Sequence, residues 1–151
     1  MIIATLSVAL AAMQPVPETW LDAVAKTESN NRSVSGDNGK AAGVFQFHSG
    51  TWTDCSKIRK AAGLKTYAYS KANDPVVARE YARTWLSYLR VKLTEAIGRP
   101  PHLGEVWLAY NMGLTGFRKY SYQWSFVPEA KYIKAVKLLM SVPVDVKRLT
   151  K

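Results

Sequence analysis

A single cysteine, Cys55, is all the thiol the chain carries, so an internal disulfide and a multi-cysteine metal site are both excluded. Histidine is nearly as scarce. His48 and His102 stand alone, neither with a second histidine at ligand spacing. No zinc, no other metal and no cofactor is therefore assigned. Long apolar runs are missing too: the longest, residues 2–12 (IIATLSVALAA), is too short to span a bilayer, and no transmembrane helix is expected. That run has the composition of a signal h-region, and Ala9-Leu10-Ala11 suits a cleavage site, but no Lys or Arg precedes it. It is read either as a cleaved signal or as a segment that packs on the domain or docks elsewhere. Acidic residues are few, 11 against 21 Lys and Arg, which leaves a net charge of +10. Such an excess suits an anionic partner: nucleic acid, a membrane surface or an acidic polymer. The basic residues are spread out, with Lys57, Arg59, Lys60, Lys65 and Lys71 the densest stretch. No block resembles a nucleic-acid arm, and no nucleic-acid partner is expected. Internal repeats and linkers are also lacking.

What is present is ordinary globular material. At 151 residues, with 48% hydrophobic and 21% charged, the chain can bury one core. Pro17 opens a helix that runs to Ser29. Asn30 to Gly43 is rich in Asn, Ser and Gly and reads as loop or short hairpin, and Val44 to Phe47 as a brief strand or the entry to the next turn. Ser49 to Ala62 reads as helix, ended by Gly63. Asp74-Pro75 caps the longest helix, with Val77, Tyr81, Trp85, Tyr88, Leu89 and Leu93 at helical spacing and Gly98 at its end. Pro100-Pro101 forms a break. A short helix follows from about Leu103 to Met112, broken by Gly113 and Gly116. Aromatics at 120, 122, 124 and 126 alternate, which predicts an extended segment. A last helix, Pro128 to Met140, places Tyr132, Ile133, Val136 and Leu139 on one face. The expected architecture is mostly α (α+β) with a small β/loop subregion. Residues 1–14 are an apolar N-terminal segment, 15–141 the domain, and 142–151 a basic tail.

Glu28 is the residue out of place. Trp20, Leu21, Val24 and Ala25 form an apolar stripe on the first helix, and position 28 continues it at i+4 from Val24 and i+7 from Leu21. A carboxylate at the inner end of such a stripe loses hydration and holds its proton near neutrality. It is either a general acid or a helix-end Glu that reaches into water.

Three segments stand together: Glu28-Ser29, then Gly43-Val44-Phe45-Gln46, then Ala109-Tyr110-Asn111-Met112-Gly113. In order and spacing they resemble the lysozyme-like superfamily, in its soluble lytic transglycosylase and goose-type lysozyme branch. There an ES pair precedes a G-L-M-Q-like turn and an A-Y-N-A-G-like motif. Asn73-Asp74-Pro75 and Lys131-Tyr132-Ile133 look like that branch's middle helix and its N-Y-V. The resemblance covers about residues 17–140 and implies a lysozyme-like fold. It implies Glu28 as the catalytic acid on the bond joining N-acetylmuramic acid to N-acetylglucosamine. Ser29, Gly43, Gln46, Tyr110, Asn111 and Tyr132 would bind substrate. Val44-Phe45 departs from Leu-Met and Met112 from Ala, changes that bear on cleft shape more than on chemistry. Gly36 to Cys55 is also similar to invertebrate-type lysozymes, whose many disulfides are absent.

Asp37 stays open between two roles. By resemblance it is a second carboxylate that positions water, as an inverting hydrolase requires. By composition it is a turn former in Asp-Asn-Gly. Trp52, Tyr120, Tyr122 and Trp124 are either sugar platforms or core. The resemblance thus implies a peptidoglycan-cleaving muramidase or lytic transglycosylase acting on glycan strands in the periplasm or cell wall. It would be virion-associated or exported, opening the wall locally for a phage virion or a secretion or conjugation assembly. The competing reading is an inactive structural or glycan-binding protein on the same scaffold.

Overall fold

The computed structural model describes residues 13–142. The predicted signal or docking segment and the basic tail lie outside these residues, except for Met13, Gln14 and Val142. The chain is mostly helical with one small sheet, as expected, and divides into two compact units. Among the described residues, one comprises 13–16 with Glu28–Tyr88, the other Pro17–Thr27 with 89–142.

Helix α1, Glu18–Ser29, opens where the Pro17 carbonyl accepts from the Trp20 amide at 3.0 Å. Its predicted stripe is buried: Trp20, Leu21, Val24 and Ala25 are all at most 4% exposed. The unit boundary falls within this helix, just before Glu28.

In the first unit, β1 (Ser35–Gly36), β2 (Ala41–Ala42) and β3 (Phe47–His48) make an antiparallel sheet in that order. Ser35 pairs with Ala42 and Ala42 with Phe47, so two tight turns lie at opposite ends of very short strands. Helix α2, Ser49–Ala61, ends as Gly63 predicts: its φ is +72°, its amide reaches the Lys60 carbonyl, and Leu64 reaches that of Arg59. Helix α3, Pro75–Ile97, is capped by Asp74, whose Oδ1 accepts from the Val76 and Val77 amides at 3.0 and 3.4 Å.

Trp52 lies in the core of this unit, 2% exposed and stacked on Tyr81 at 3.6 Å, so the sugar-platform role considered for it is overturned. Arg59 is also internal. Its guanidinium meets Glu80 at 3.1 Å, Thr84 at 2.8 Å and the Lys65 carbonyl at 2.8 Å, over the Tyr81 ring. One cation of the densest basic stretch therefore serves packing and is not surface charge.

The second unit holds the end of α3, helix α4 (Leu103–Arg118) and helix α5 (Glu129–Met140). Gly104 lets α4 approach α5, since a Cβ there would meet the Ala135 carbonyl at 3.0 Å. Gly113 breaks the helical geometry, with φ 77° and ψ 160°, but helix resumes through Arg118 beyond the predicted end. Gly98 closes α3 with φ +74°, as predicted.

The extended segment predicted around 120–126 is wrong. Ser121 and Tyr122 are left-handed, the Phe117 carbonyl accepts from the amides of Tyr120 and Tyr122, and Trp124–Phe126 is a 3-10 turn. The alternation has no sheet behind it: Tyr122 packs on Phe117, Trp124 on His102 and Tyr132, and Phe126 is exposed. The α5 face is rotated from the prediction. Ala135, Leu138 and Leu139 are buried, while Ile133 is 41% exposed. Among the described residues no helix is long and apolar enough to cross a membrane.

Candidate active site

Glu28 is half-buried, one residue before the end of α1. Its neighbour Ser29 is buried, and the Ser29 hydroxyl donates to the Val44 carbonyl at 2.7 Å while accepting from the Arg32 amide at 3.2 Å. The acid-bearing helix end is thereby tied to the Gly43–Gln46 turn, fifteen residues on. Local chemistry dictates that turn. Gly43 has φ +76°, and a Cβ there would lie 1.8 Å from the Ala72 carbonyl oxygen, so only glycine fits. Gln46 is itself left-handed, with φ +51°. Its Nε2 donates to the carbonyls of Gly43 and Val34, both at 2.8 Å, and its Oε1 occupies the space a Cβ on Gly36 would need. Both amide protons of Gln46 hold the turn together. Ser29, the residue after Glu28, is thus bonded to the turn that Gly43 and Gln46 build.

Asp37 sits in the other turn, joining β1 to β2. Asp37, Asn38 and Gly39 are consecutive left-handed residues, and Asp37 Oδ2 lies 3.3 Å from His48 Nε2. Both side chains are at least half exposed, 60% and 50%, where such a pair contributes little. The strand register puts this turn at the sheet end opposite Gly43–Gln46.

In the second unit, Tyr110 is half-buried and Asn111 exposed on α4, just before the Gly113 break. Asn111 Oδ1 accepts from the Lys131 ammonium on α5. Tyr132 is half-buried, its ring 5.4 Å from that of Trp124, which in turn packs edge-on against His102 at 4.3 Å. Near the start of α4 lies a cavity of about 720 Å³, lined by residues that include Arg99, His102, Glu105, Tyr122, Gln123 and Trp124. Glu105 is buried there and answers Arg99 at 2.6 and 3.1 Å and the His102 amide at 2.9 Å. His102 Nδ1 accepts from the Glu105 amide, completing a reciprocal cap. Burial pushes the His102 imidazole below its ordinary value, opposed by Glu105 and aided by Arg99. The hydrogen bonds that Arg99 donates to the Glu105 carboxylate push the guanidinium up.

Sequence reasoning missed Lys131, His48, Arg59 with Glu80, and Glu105. Glu105 stands three residues after His102, a residue type that does not announce a helix cap, so its reciprocal cap was visible only in the structure. The others find partners 11 to 21 residues away, which no short motif encodes.

A mostly helical chain with a small antiparallel sheet, an acid closing its first helix and a Gly-x-x-Gln turn bound to that helix end has the make-up of a lysozyme-like glycan-cleaving enzyme. The family described as the transglycosylase SLT domain matches residues 6–133, and the chain belongs to it, among the soluble lytic transglycosylases of the lysozyme-like superfamily. The protein is accordingly a glycosidase-type peptidoglycan lytic enzyme. The matched stretch takes in Glu28, Gly43–Gln46, Tyr110, Asn111 and Tyr132. No curated protein matches the chain.

Proposed function

We propose that this enzyme cuts the β-1,4 bond from N-acetylmuramic acid to N-acetylglucosamine with Glu28 as its one acid–base residue. Glu28 gives its proton to the glycosidic oxygen as the bond from C1 to that oxygen breaks. The resulting carboxylate then takes the proton of the muramic acid 6-hydroxyl as that oxygen bonds to C1. The product is a 1,6-anhydro sugar, and no water is consumed. The observation that carries this reading is the half-buried Glu28 on a helix end fastened by Ser29 to the Gly43–Gln46 turn. Its exposed pairing with His48 supports Asp37 as a turn former and not as a water-positioning carboxylate. Gly43 and Gln46 shape the wall beside the acid, and Tyr110, Asn111 and Tyr132 serve as sugar contacts. The half-buried Tyr120, Tyr122 and Trp124 remain eligible as platforms, unlike Trp52. The place of action is the periplasm or cell wall, reached within a virion or by export. The task is local wall opening for a phage virion or a secretion or conjugation assembly, and the net charge of +10 suits adhesion to an acidic wall.

Purified protein acting on isolated walls tests the mechanism. Glu28→Gln is expected to lower turnover by about 10³-fold or more. Mass spectrometry of the wild-type muropeptides should show sugars lighter by one water than hydrolysis products. Asp37→Asn should keep turnover within about twofold, as for other exposed pairs. Full-mass products together with a collapse in Asp37→Asn would establish the two-carboxylate hydrolase instead.

A further inference from the structure

We infer that Lys131 is a positioning residue that fixes Asn111 as a hydrogen-bond donor toward the glycan, a reading that rests on the proposed sugar-contact role of Asn111. An asparagine amide has an accepting end and a donating end, and in isolation either can face a ligand. Lys131 removes that freedom. Its ammonium has only protons to offer, so the amide must turn Oδ1 toward it, which is the contact seen. The Nδ2 end, with two protons, then faces away from Lys131 and makes no hydrogen bond among the described residues. Asn111 is exposed, so that end is open to a ligand. The neutral group on the glycan best suited to receive it is an acetamido carbonyl oxygen.

The position of Lys131 agrees with such a task. It is the third residue of α5, in the first turn, where the helix dipole disfavours a cation. An unconstrained lysine there would extend into water, yet Lys131 is half-buried. Its ammonium instead reaches Asn111, close to the point where Gly113 interrupts α4. The last carbonyls of the helical stretch before that break favour a cation.

A double-mutant cycle on soluble, uncrosslinked glycan strands tests this. Lys131→Met should raise KM about three- to tenfold with kcat within about twofold, the size of one lost oriented hydrogen bond. Lys131→Arg, which also only donates, should rescue most of that loss. In an Asn111→Ala background, Lys131→Met should add nothing. Wild-type KM in Lys131→Met, or an undiminished penalty without Asn111, overturns the inference. Melting temperatures close to wild type in all variants would exclude a general loss of fold as the cause. The two readings fail separately. Activity surviving in Glu28→Gln sinks the mechanism, whereas an inactive Glu28→Gln with no coupling of Lys131 to Asn111 sinks only this assignment.

Discussion

Gly43 and Gly50 show how differently one residue type behaves at two places in the same unit. Gly43 is left-handed with a carbonyl oxygen 1.8 Å from where a Cβ would go, while nothing lies within 4 Å of that position at Gly50. Gly43→Ala is expected to cost roughly 2–5 kcal/mol, from left-handed strain plus overpacking. Gly50→Ala, in helix α2, is expected to stabilise by about 0.4–1 kcal/mol. Urea unfolding of the two variants checks both signs. At this scale the site was partly legible. A glycine three residues before a glutamine, at set distance from Glu28, marks a turn that must pack closely. That the Gln46 amide would be consumed by the turn was not legible, because the Val34 carbonyl it meets is twelve residues upstream. Cys55 is inert for a similar reason of packing: burial pushes its thiol up to about 12, against a smaller opposing pull from Arg59.

Helix ends were the most readable elements. Asp74-Pro75, Gly63 and Gly98 each act through backbone groups a few residues away, so sequence neighbours suffice to place them. The start of α4 adds a pH response. His102 is buried and must be neutral for Nδ1 to accept from the Glu105 amide, with Glu105 and Arg99 the charged groups on it and Trp124 packed edge-on against it. Its folded value lies below the ordinary 6.5 or so of an unfolded histidine. The unfolded chain therefore binds the proton first as pH falls. The stability present above that value is lost as pH drops below it toward the folded value. Thermal melts should show a lower midpoint at pH 5 than at pH 7, and His102→Asn, which keeps a capping acceptor without a titrating group, should show a smaller drop. An unchanged pH slope in that variant would remove His102 as the cause. The aromatic stretch after α4 failed to announce itself because alternation predicts a strand only where a sheet receives it. Here each ring goes to a different partner.

For the whole molecule, charge is the dominant sequence property. The net value of +10 survives the internal use of Arg59, since its partner Glu80 is already counted. Binding to isolated walls should weaken as salt rises from about 0.1 M to about 1 M, over which the screening length falls from about 10 Å to about 3 Å. Sedimentation of protein with walls across that range measures it. Salt-independent retention would show that contacts other than charge hold the protein to its substrate.

Sequence alone determined the helical class, most helix ends, the family and the position of Glu28 on an apolar stripe. These depend on backbone preference and periodicity, which act over a few residues, and on motif spacing along one chain. Tertiary structure decided what each polar side chain does once folded. It buried Trp52, gave Asp37 to His48, committed Gln46 to its own turn and turned Asn111 toward Lys131. Those choices depend on which groups packing brings within hydrogen-bond reach, and that follows from the fold and not from local order along the chain.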